Sequence, residues 1–219
     1  MSSFFDKRSL PMKILTAACN LILVNICFII GSIPIFTLGA SITSLYRICI
    51  KVAAGENPSV FREFFRCYKE NFIKSTGFFI VYCLLAAFFG FEIHMVMNTF
   101  PEQYKWSMYP AFFFLFAIFA SASYAFPLIA WFDETVKQTI KNSLLLAITN
   151  FPTTILFAAV TFGIGFAWFA SGTSQIVTFS IFIFMGFGIV GILFSVFLKR
   201  IFEKHGAVIV SDEEENIGL

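Results

Sequence analysis

Charged residues are scarce in this sequence. They make up 13% of its 219 residues, whereas soluble globular domains carry about a quarter. Hydrophobic residues account for 58%, including 33 phenylalanines, which is more than one small soluble core can bury. The net charge of +2, without a lysine and arginine cluster among exposed aromatics, gives no nucleic-acid-binding surface. The composition therefore excludes a soluble domain and a nucleic-acid partner, and it predicts a protein surrounded by membrane lipid.

Motifs of catalysis, nucleotide binding and metal binding are absent as well. None of HExxH, GxSxG, GxxxxGK[ST] and GxGxxG occurs, so zinc proteases, serine hydrolases, P-loop nucleotidases and dinucleotide-binding domains lack their minimum signature. The five cysteines occur at spacings that match neither a zinc pair nor a CxxC redox motif, and we interpret them as small buried side chains. We therefore predict no catalytic residue, no cofactor and no metal, and a protein that is not an enzyme.

The sequence does contain a series of long apolar runs. A helix needs about 20 apolar residues to cross about 30 Å of hydrocarbon, and residues 73–91, 108–132, 143–170 and 176–198 reach that length. The runs are continuously apolar, whereas the strands of a membrane barrel alternate. The predicted fold class is therefore all-α, a polytopic transmembrane helix bundle over residues 1–204. The acidic tail at residues 205–219 is predicted to be disordered.

Lysine and arginine alternate between the loops. By the positive-inside rule, residues 47–74, residues 137–141 and the C-terminal tail face the cytoplasm, and the loop at residues 92–107 faces outside. The basic N-terminus then requires two crossings by residues 12–33 and 37–52, with a turn at their outer end and with Arg47 and Lys51 snorkelling to the cytoplasmic interface. We favour six helices with both termini cytoplasmic. Because residues 37–52 are as short as a re-entrant segment, five helices with an outside N-terminus is the alternative.

The turn that separates these first two helices is the candidate functional region. Backbone freed from a helix at membrane depth is tolerated only inside protein or beside a wet cavity, so we predict that the hydroxyls of this block face the bundle interior. A turn that only defines the fold explains the same pattern. The candidate residues are Pro34, Thr37, Gly39, Ser41, Thr43 and Tyr46.

Residues 58–71 form an amphipathic segment. Phe61, Phe64, Phe65 and Tyr68 follow the spacing i, i+3, i+4, i+7, which predicts a helix in the cytoplasmic interface. A helix that merely rests on the membrane is one explanation, and a docking surface for an acidic partner or for anionic lipid is the other. The candidate contact residues on this cytoplasmic face are Arg62, Arg66, Lys69, Lys137 and Lys141.

The sequence also contains a weak internal similarity, an echo of one half in the other, that includes the end of this segment. Asn71-Phe72 and Asn150-Phe151 each close a predicted cytoplasmic segment and open a spanning helix. A parallel repeat would make residues 37–52 the counterpart of the helix at residues 108–132. Chance similarity between two stretches rich in the same apolar residues explains the echo equally well.

Four blocks of the chain resemble the YesL-like family of bacterial membrane proteins, whose function is unassigned. These blocks are Phe4-Phe5, Pro-Ile-Phe-Thr-Leu-Gly-Ala-Ser-Ile-Thr-Ser-Leu-Tyr at 34–46, Phe-Arg-Glu-Phe-Phe-Arg-Cys-Tyr-Lys-Glu-Asn-Phe at 61–72 and Val-Lys-Gln-Thr-Ile-Lys-Asn-Ser-Leu at 136–144. Such proteins accompany carbohydrate uptake and breakdown systems in Gram-positive bacteria, so the resemblance implies a plasma-membrane role near sugar import.

Two functions are expected from this resemblance: an accessory component of a carbohydrate transport complex, and a sugar transporter in its own right. A membrane enzyme is a distant third. A continuous polar cavity through the bundle would favour transport, whereas a closed apolar bundle would favour the accessory role.

Overall fold

The computed structural model describes the backbone of residues 10–204 and the side chains of residues 16–203. Residues 205–219, predicted to be disordered, and the Phe4-Phe5 pair lie outside the described residues. Every regular element in the described part of the chain is helical. The helices are α1 (Leu10–Gly31), α2 (Leu38–Ala53), α3 (Val60–Glu70), α4 (Phe72–Thr99), α5 (Met108–Trp131), α6 (Val136–Thr149), α7 (Phe151–Ala170), α8 (Gly172–Ile181) and α9 (Phe187–Lys204).

Five helical stretches of the described chain are long and apolar enough to cross a membrane: Ile35–Ala53, Phe72–Thr99, Glu102–Trp131, Phe151–Ala170 and Gly172–Glu203. The described apolar part of α1, Thr16–Gly31, is shorter. These helices confirm the prediction of an all-α, polytopic helical bundle. The run predicted at residues 143–170 is two helices, because α6 ends at Thr149 and Pro152 lies in the first turn of α7, where proline is tolerated.

Helix α2 lies at the centre of the fold, in contact with α1, α3, α4, α5 and α9. At Gly39 the two backbones come close together, because a Cβ atom there would clash with the Ser75 carbonyl oxygen and lie 2.7 Å from Cβ of Phe79, both on α4. A Cβ at Gly77 or Gly90 of α4 would meet open space. One turn further along α2, the hydroxyls of Thr43 and Ser75 hydrogen-bond at 2.8 Å. Gly39 therefore permits the α2–α4 packing that also pairs these two hydroxyls.

The turn between α1 and α2 lies beside α3. Tyr68 Oη donates a hydrogen bond of 3.2 Å to the Gly31 carbonyl oxygen, and a Cβ at Gly31 would be 3.4 Å from the Tyr68 ring. At the same end of the bundle, Lys74 at the start of α4 donates to the Glu134 carbonyl just before α6. The sequence prediction that placed this turn at the membrane face opposite α3 is therefore wrong. The distribution of lysine and arginine residues could not predict this contact, because it forms between an aromatic hydroxyl and a backbone carbonyl, and neither group is charged.

The starts of α4 and α7 share one local geometry. Asn71 and Asn150 each donate a side-chain hydrogen bond of 3.2 Å to the carbonyl four residues earlier. Four residues after each asparagine, a hydroxyl pairs with the preceding long helix: Ser75 with Thr43 at 2.8 Å, and Thr154 with Tyr124 at 3.0 Å. The order of long helix, short helix, asparagine and long helix therefore occurs twice, which favours the repeat over chance similarity.

Asn25 connects α1 to the continuous helix formed by α8 and α9, which are joined by a π-helical segment, Phe182–Gly186. The fully buried Asn25 amide donates to the carbonyls of Phe182 and Ile183 at 3.1 and 2.7 Å. Its oxygen accepts from the N–H groups of Phe187 and Gly188 at 3.1 and 3.3 Å. A π-helical turn interrupts the regular backbone ladder, and lipid offers no substitute partner, so this amide satisfies backbone groups on both sides of the interruption.

We expect Asn25→Leu to lower the free energy of unfolding by about 1–3 kcal/mol, because it leaves buried backbone groups without partners. Unfolding in mixed micelles measures the change. The matched control is Asn98→Leu, since Asn98 is exposed and its hydrogen bond among the described residues goes to the His94 carbonyl of its own helix. Equal stability of the two variants would show that the amide is dispensable.

The position of the α1–α2 turn gives a second prediction. Ile33 in this turn is 75% exposed, and we expect a cysteine there to react with a membrane-impermeant maleimide from the same side as one at Gln138, near the start of α6. A cysteine at Gln103, beyond the far end of α4, is expected to react from the other side. Labelling of Ile33→Cys from the same side of the membrane as Gln103→Cys would contradict the observed contact between the α1–α2 turn and α3. The measurement requires a background without the five native cysteines.

Candidate functional site

A polar cavity of about 420 Å³ lies where α3 meets α2 and the end of α5. Its polar side chains come from all three helices and from the residues that follow α3 and α5, and Trp131 also lines it. The polar side chains are Arg47, Glu63, Arg66, Glu70, Asn71 and Asp133. Residues that are distant in sequence therefore meet at one end of the bundle.

A buried ion pair joins α2 to α3 behind this wall. Lys51 Nζ lies 2.9 Å from Glu63 Oε2, and the two side chains are only 3% and 16% exposed. The prediction that Lys51 extends to the membrane interface is wrong, because α3 folds back along α2 and supplies a carboxylate at this point. Removing a lysine from water is costly unless a counter-charge is in contact, so this pair fixes the register between the two helices.

Arg47 connects α2 to the end of α5. Its guanidinium carbon lies 4.8 Å from the centre of the Trp131 ring, and its Nη1 donates to the Ala130 carbonyl at 2.9 Å. A guanidinium over an indole face is attracted by the negative charge density of the ring. The Trp131 indole N–H is buried and has no acceptor among the described residues. This end of α5 therefore keeps one unsatisfied donor beside the cavity.

The face of α3 that packs inward differs from the predicted one. Phe64 is fully buried as expected, but Phe61 is 68% exposed, and Val60 and Cys67 take part in the buried face instead. Burial raises the pKa of the Cys67 thiol, so this thiol, which also lines the cavity, is protonated at neutral pH. The simple i, i+3, i+4, i+7 pattern missed this face because aromatics occupy both sides of the helix.

Residues of the candidate functional turn are mostly buried. Thr37, Ser41 and Thr43 are at most 2% exposed, in agreement with the predicted inward orientation. Thr37 Oγ1 donates to the carbonyl oxygens of Gly31 and Pro34 at 2.7 and 2.6 Å, which closes the turn. Gly39 and Tyr46 are buried and Pro34 is exposed, and none of the six residues lines the polar cavity. Their described contacts are those of a turn that defines the fold.

The five candidate contact residues are all exposed, but they divide into two groups. Arg66 lines the cavity, with its Nε 3.9 Å from Glu70 Oε1. The other four do not line it and lie on the exposed surfaces of the two short helices: Arg62 and Lys69 on α3, Lys137 and Lys141 on α6.

A second, larger cavity of about 630 Å³ lies between α4, α5 and α7. Its wall is almost entirely apolar and aromatic, and its one hydroxyl, that of Tyr82, is hydrogen-bonded to Ser121 at 2.8 Å. It shares no lining residue with the polar cavity. The polar cavity therefore does not continue into this groove.

Residues 21–93 match a family model described as "Protein of unknown function, DUF624". The match covers a third of the chain. It includes α2, α3, the second half of α1 and most of α4, and thus the Lys51–Glu63 pair, while Trp131 and Asp133 lie outside it. No curated protein and no solved structure matches the chain. The DUF624 match supports a family without assigned function and does not extend to the YesL-like name.

We expect Lys51→Met and Glu63→Leu each to destabilise the protein by about 3–5 kcal/mol, because each leaves one buried charge without its partner. The double variant should recover most of this loss, since it removes both charges. A double-mutant cycle of unfolding free energies measures the coupling. The control is Glu70→Gln in the exposed pair with Arg66, which should cost less than about 1 kcal/mol. Additive, small effects of Lys51→Met and Glu63→Leu would show that the pair does not hold α3.

Proposed function

We propose that this multi-pass membrane protein is a non-catalytic accessory component of a carbohydrate uptake system in the bacterial plasma membrane. It binds a partner protein of the transport complex through the exposed basic residues of α3 and α6. The observation that carries the proposal is the rigid attachment of α3 to the bundle, with its cations on the outside. The link to carbohydrate rests on the resemblance to the YesL-like family.

Helix α3 is held more firmly than a helix that rests on lipid requires. Glu63 reaches the buried Lys51, Phe64 is fully buried, and Tyr68 hydrogen-bonds the α1–α2 turn. These contacts leave Arg62 and Lys69 exposed. A surface that is already ordered loses less entropy on binding, and exposed cations steer an acidic partner.

Helix α6 presents its cations in the same way. Thr139 and Ser143 are fully buried, and Ser143 Oγ lies 2.9 Å from Ser121 Oγ of α5. Lys137 and Lys141 remain exposed. Because the start of α6 is tied to the start of α4 through Lys74, both short helices lie at one end of the bundle. The positive-inside rule places this end in the cytoplasm.

The same rule, applied to the observed turn, favours five crossings and an outside N-terminus. The turn lies beside α3, so a crossing α1 begins on the other side of the membrane. A re-entrant placement of α2 also agrees with α3 lying along it, because the charges on α3 are costly in hydrocarbon.

Transport by this chain alone is the second candidate function. A sugar path needs hydrogen-bonding groups along its length, whereas the large groove between α4, α5 and α7 is apolar. The polar cavity is confined to the α3 end. These two observations favour the accessory role.

We expect the double variant Arg62→Glu/Lys69→Glu to reduce recovery of the co-purifying transport protein about tenfold when the complex is isolated from native membranes. Its unfolding free energy should change by less than about 0.5 kcal/mol, because both side chains are exposed. Lys105→Glu, in the loop before α5, is the matched control and should leave recovery unchanged. Undiminished recovery with the double variant contradicts the assignment of the docking surface. Sugar movement into liposomes containing only the purified protein would favour the transporter.

A further inference from the structure

We propose that the acidic segment that follows α9 folds back onto α6 and covers Lys137 and Lys141. The segment comprises residues 205–219, outside the described part of the chain, and has four consecutive acidic residues at 212–215. The contact forms within one chain and therefore goes beyond the proposed function. It rests on the place where α9 ends, on a small apolar cavity at that place and on the charges of α6.

Helix α9 ends beside α6. The ring centroid of Phe202, near the end of α9, lies 5.4 Å from that of Phe132, which follows α5. Phe202 also lines a cavity of about 280 Å³ together with residues of α6. Nine residues separate Phe202 from Asp212, and an unstructured chain of that length spans about 15–19 Å on average. The acidic run can therefore reach α6 without any rearrangement of the bundle.

The cavity provides a place for the apolar part of the segment. Its wall consists of five apolar side chains, including Leu145 of α6, and of Glu134 and Asn142. The sequence Ala-Val-Ile-Val at 207–210 lies between Phe202 and the acidic run. The Glu134 carboxylate would repel other carboxylates from the cavity, whereas apolar side chains gain by leaving water there. This arrangement directs the apolar residues into the cavity and the acidic run to the surface of α6.

Helix α6 has the charge that an acidic segment requires. It contains Lys137 and Lys141 and no aspartate or glutamate, since the nearest carboxylates in sequence, Asp133 and Glu134, precede it. Both lysines are exposed, and among the described residues neither forms an ion pair. They lie one helical turn apart, where like charges repel each other, so a carboxylate between them is stabilised by both. Helix α3 is less suitable, because Glu70 lies among its exposed cations.

Attachment to α9 compensates for the weakness of each exposed charge pair. Single surface ion pairs contribute little, because water and salt screen them. The acidic run is tethered close to α6, which gives it an effective concentration on the order of millimolar. Segments whose composition predicts disorder can become ordered on binding. An acidic partner would have to displace the segment from α6, a consequence that rests on the proposed function, whereas Arg62 and Lys69 of α3 stay accessible.

The test measures how well the segment is protected in the whole chain. Ile209→Cys, in a background without the five native cysteines, reacts with a maleimide in phosphatidylcholine nanodiscs that hold one protein copy each. Each rate is divided by the rate of the same variant in denaturant, which removes the direct effect of neighbouring charges on the thiol. Docking for about nine-tenths of the time should slow the reaction about tenfold, since the thiol reacts only when the segment is undocked.

Charge variants separate docking on α6 from burial in lipid. Lys137→Glu/Lys141→Glu should raise the rate about tenfold, because it reverses the charge of the docking surface. Neutralising the acidic run by aspartate-to-asparagine and glutamate-to-glutamine changes at 212–215 leaves the bundle untouched and should raise the rate equally. Lysines at 212–215 combined with Lys137→Glu/Lys141→Glu should restore the protection. The control Lys105→Glu, in the loop before α5, should leave the rate unchanged.

Three results would overturn the proposal. Equal rates with and without Lys137→Glu/Lys141→Glu would show that α6 does not cover the segment. Failure of the lysine-substituted segment to restore protection would show that the charge reversal acted by another route. Protection seen only in nanodiscs with two copies would assign the contact to a neighbouring copy. No partner is present in these measurements, and Arg62 and Lys69 are unchanged, so their failure leaves the partner-recovery experiment independent.

Discussion

The Lys51–Glu63 ion pair holds α3 antiparallel along α2, and the geometry of one whole end of the bundle depends on that pairing. With this register set, Tyr68 reaches the Gly31 carbonyl and Cys67 and Glu70 come beside Arg47. Neither contact would form if α3 lay separately on the membrane surface. Sliding one helix past the other would leave a buried charge without its counter-charge, so the pair favours the register in which the two side chains meet.

In the rest of the bundle, hydrogen bonds between helices fix the relative positions of the helices, as the ion pair does for α2 and α3. The hydroxyl pairs at the starts of α4 and α7 attach each helix to the one before the intervening short helix. Asn25 attaches α1 to the π-helical interruption before α9. Apolar packing gives little specificity in lipid, because the lipid is as apolar as the side chains, so these few polar contacts select the arrangement of the helices.

The sequence predicted the helices better than their arrangement. Apolar runs of spanning length and the amphipathic segment at residues 58–71 were recognisable because they depend only on local composition. The predicted position of the α1–α2 turn was wrong, since Tyr68 and Gly31 meet through groups that carry no charge. The cavity was also missed, because Arg47, Glu70 and Asp133 come from three separate parts of the chain. One signal was present: Lys51 follows an apolar run and could be buried only beside a carboxylate such as Glu63.

The α1–α2 turn, α3 and the start of α4 lie together at one end of the bundle. Pulsed EPR on spin-labelled cysteines in lipid tests it directly, by comparing the pair Ile33→Cys and Lys69→Cys with the pair Ile33→Cys and Gln103→Cys. The structure predicts a short distance for the first pair. For the second it predicts a distance close to the length of the 28-residue helix α4, on the order of 40 Å. A long first distance with a short second one would contradict this arrangement of the helices.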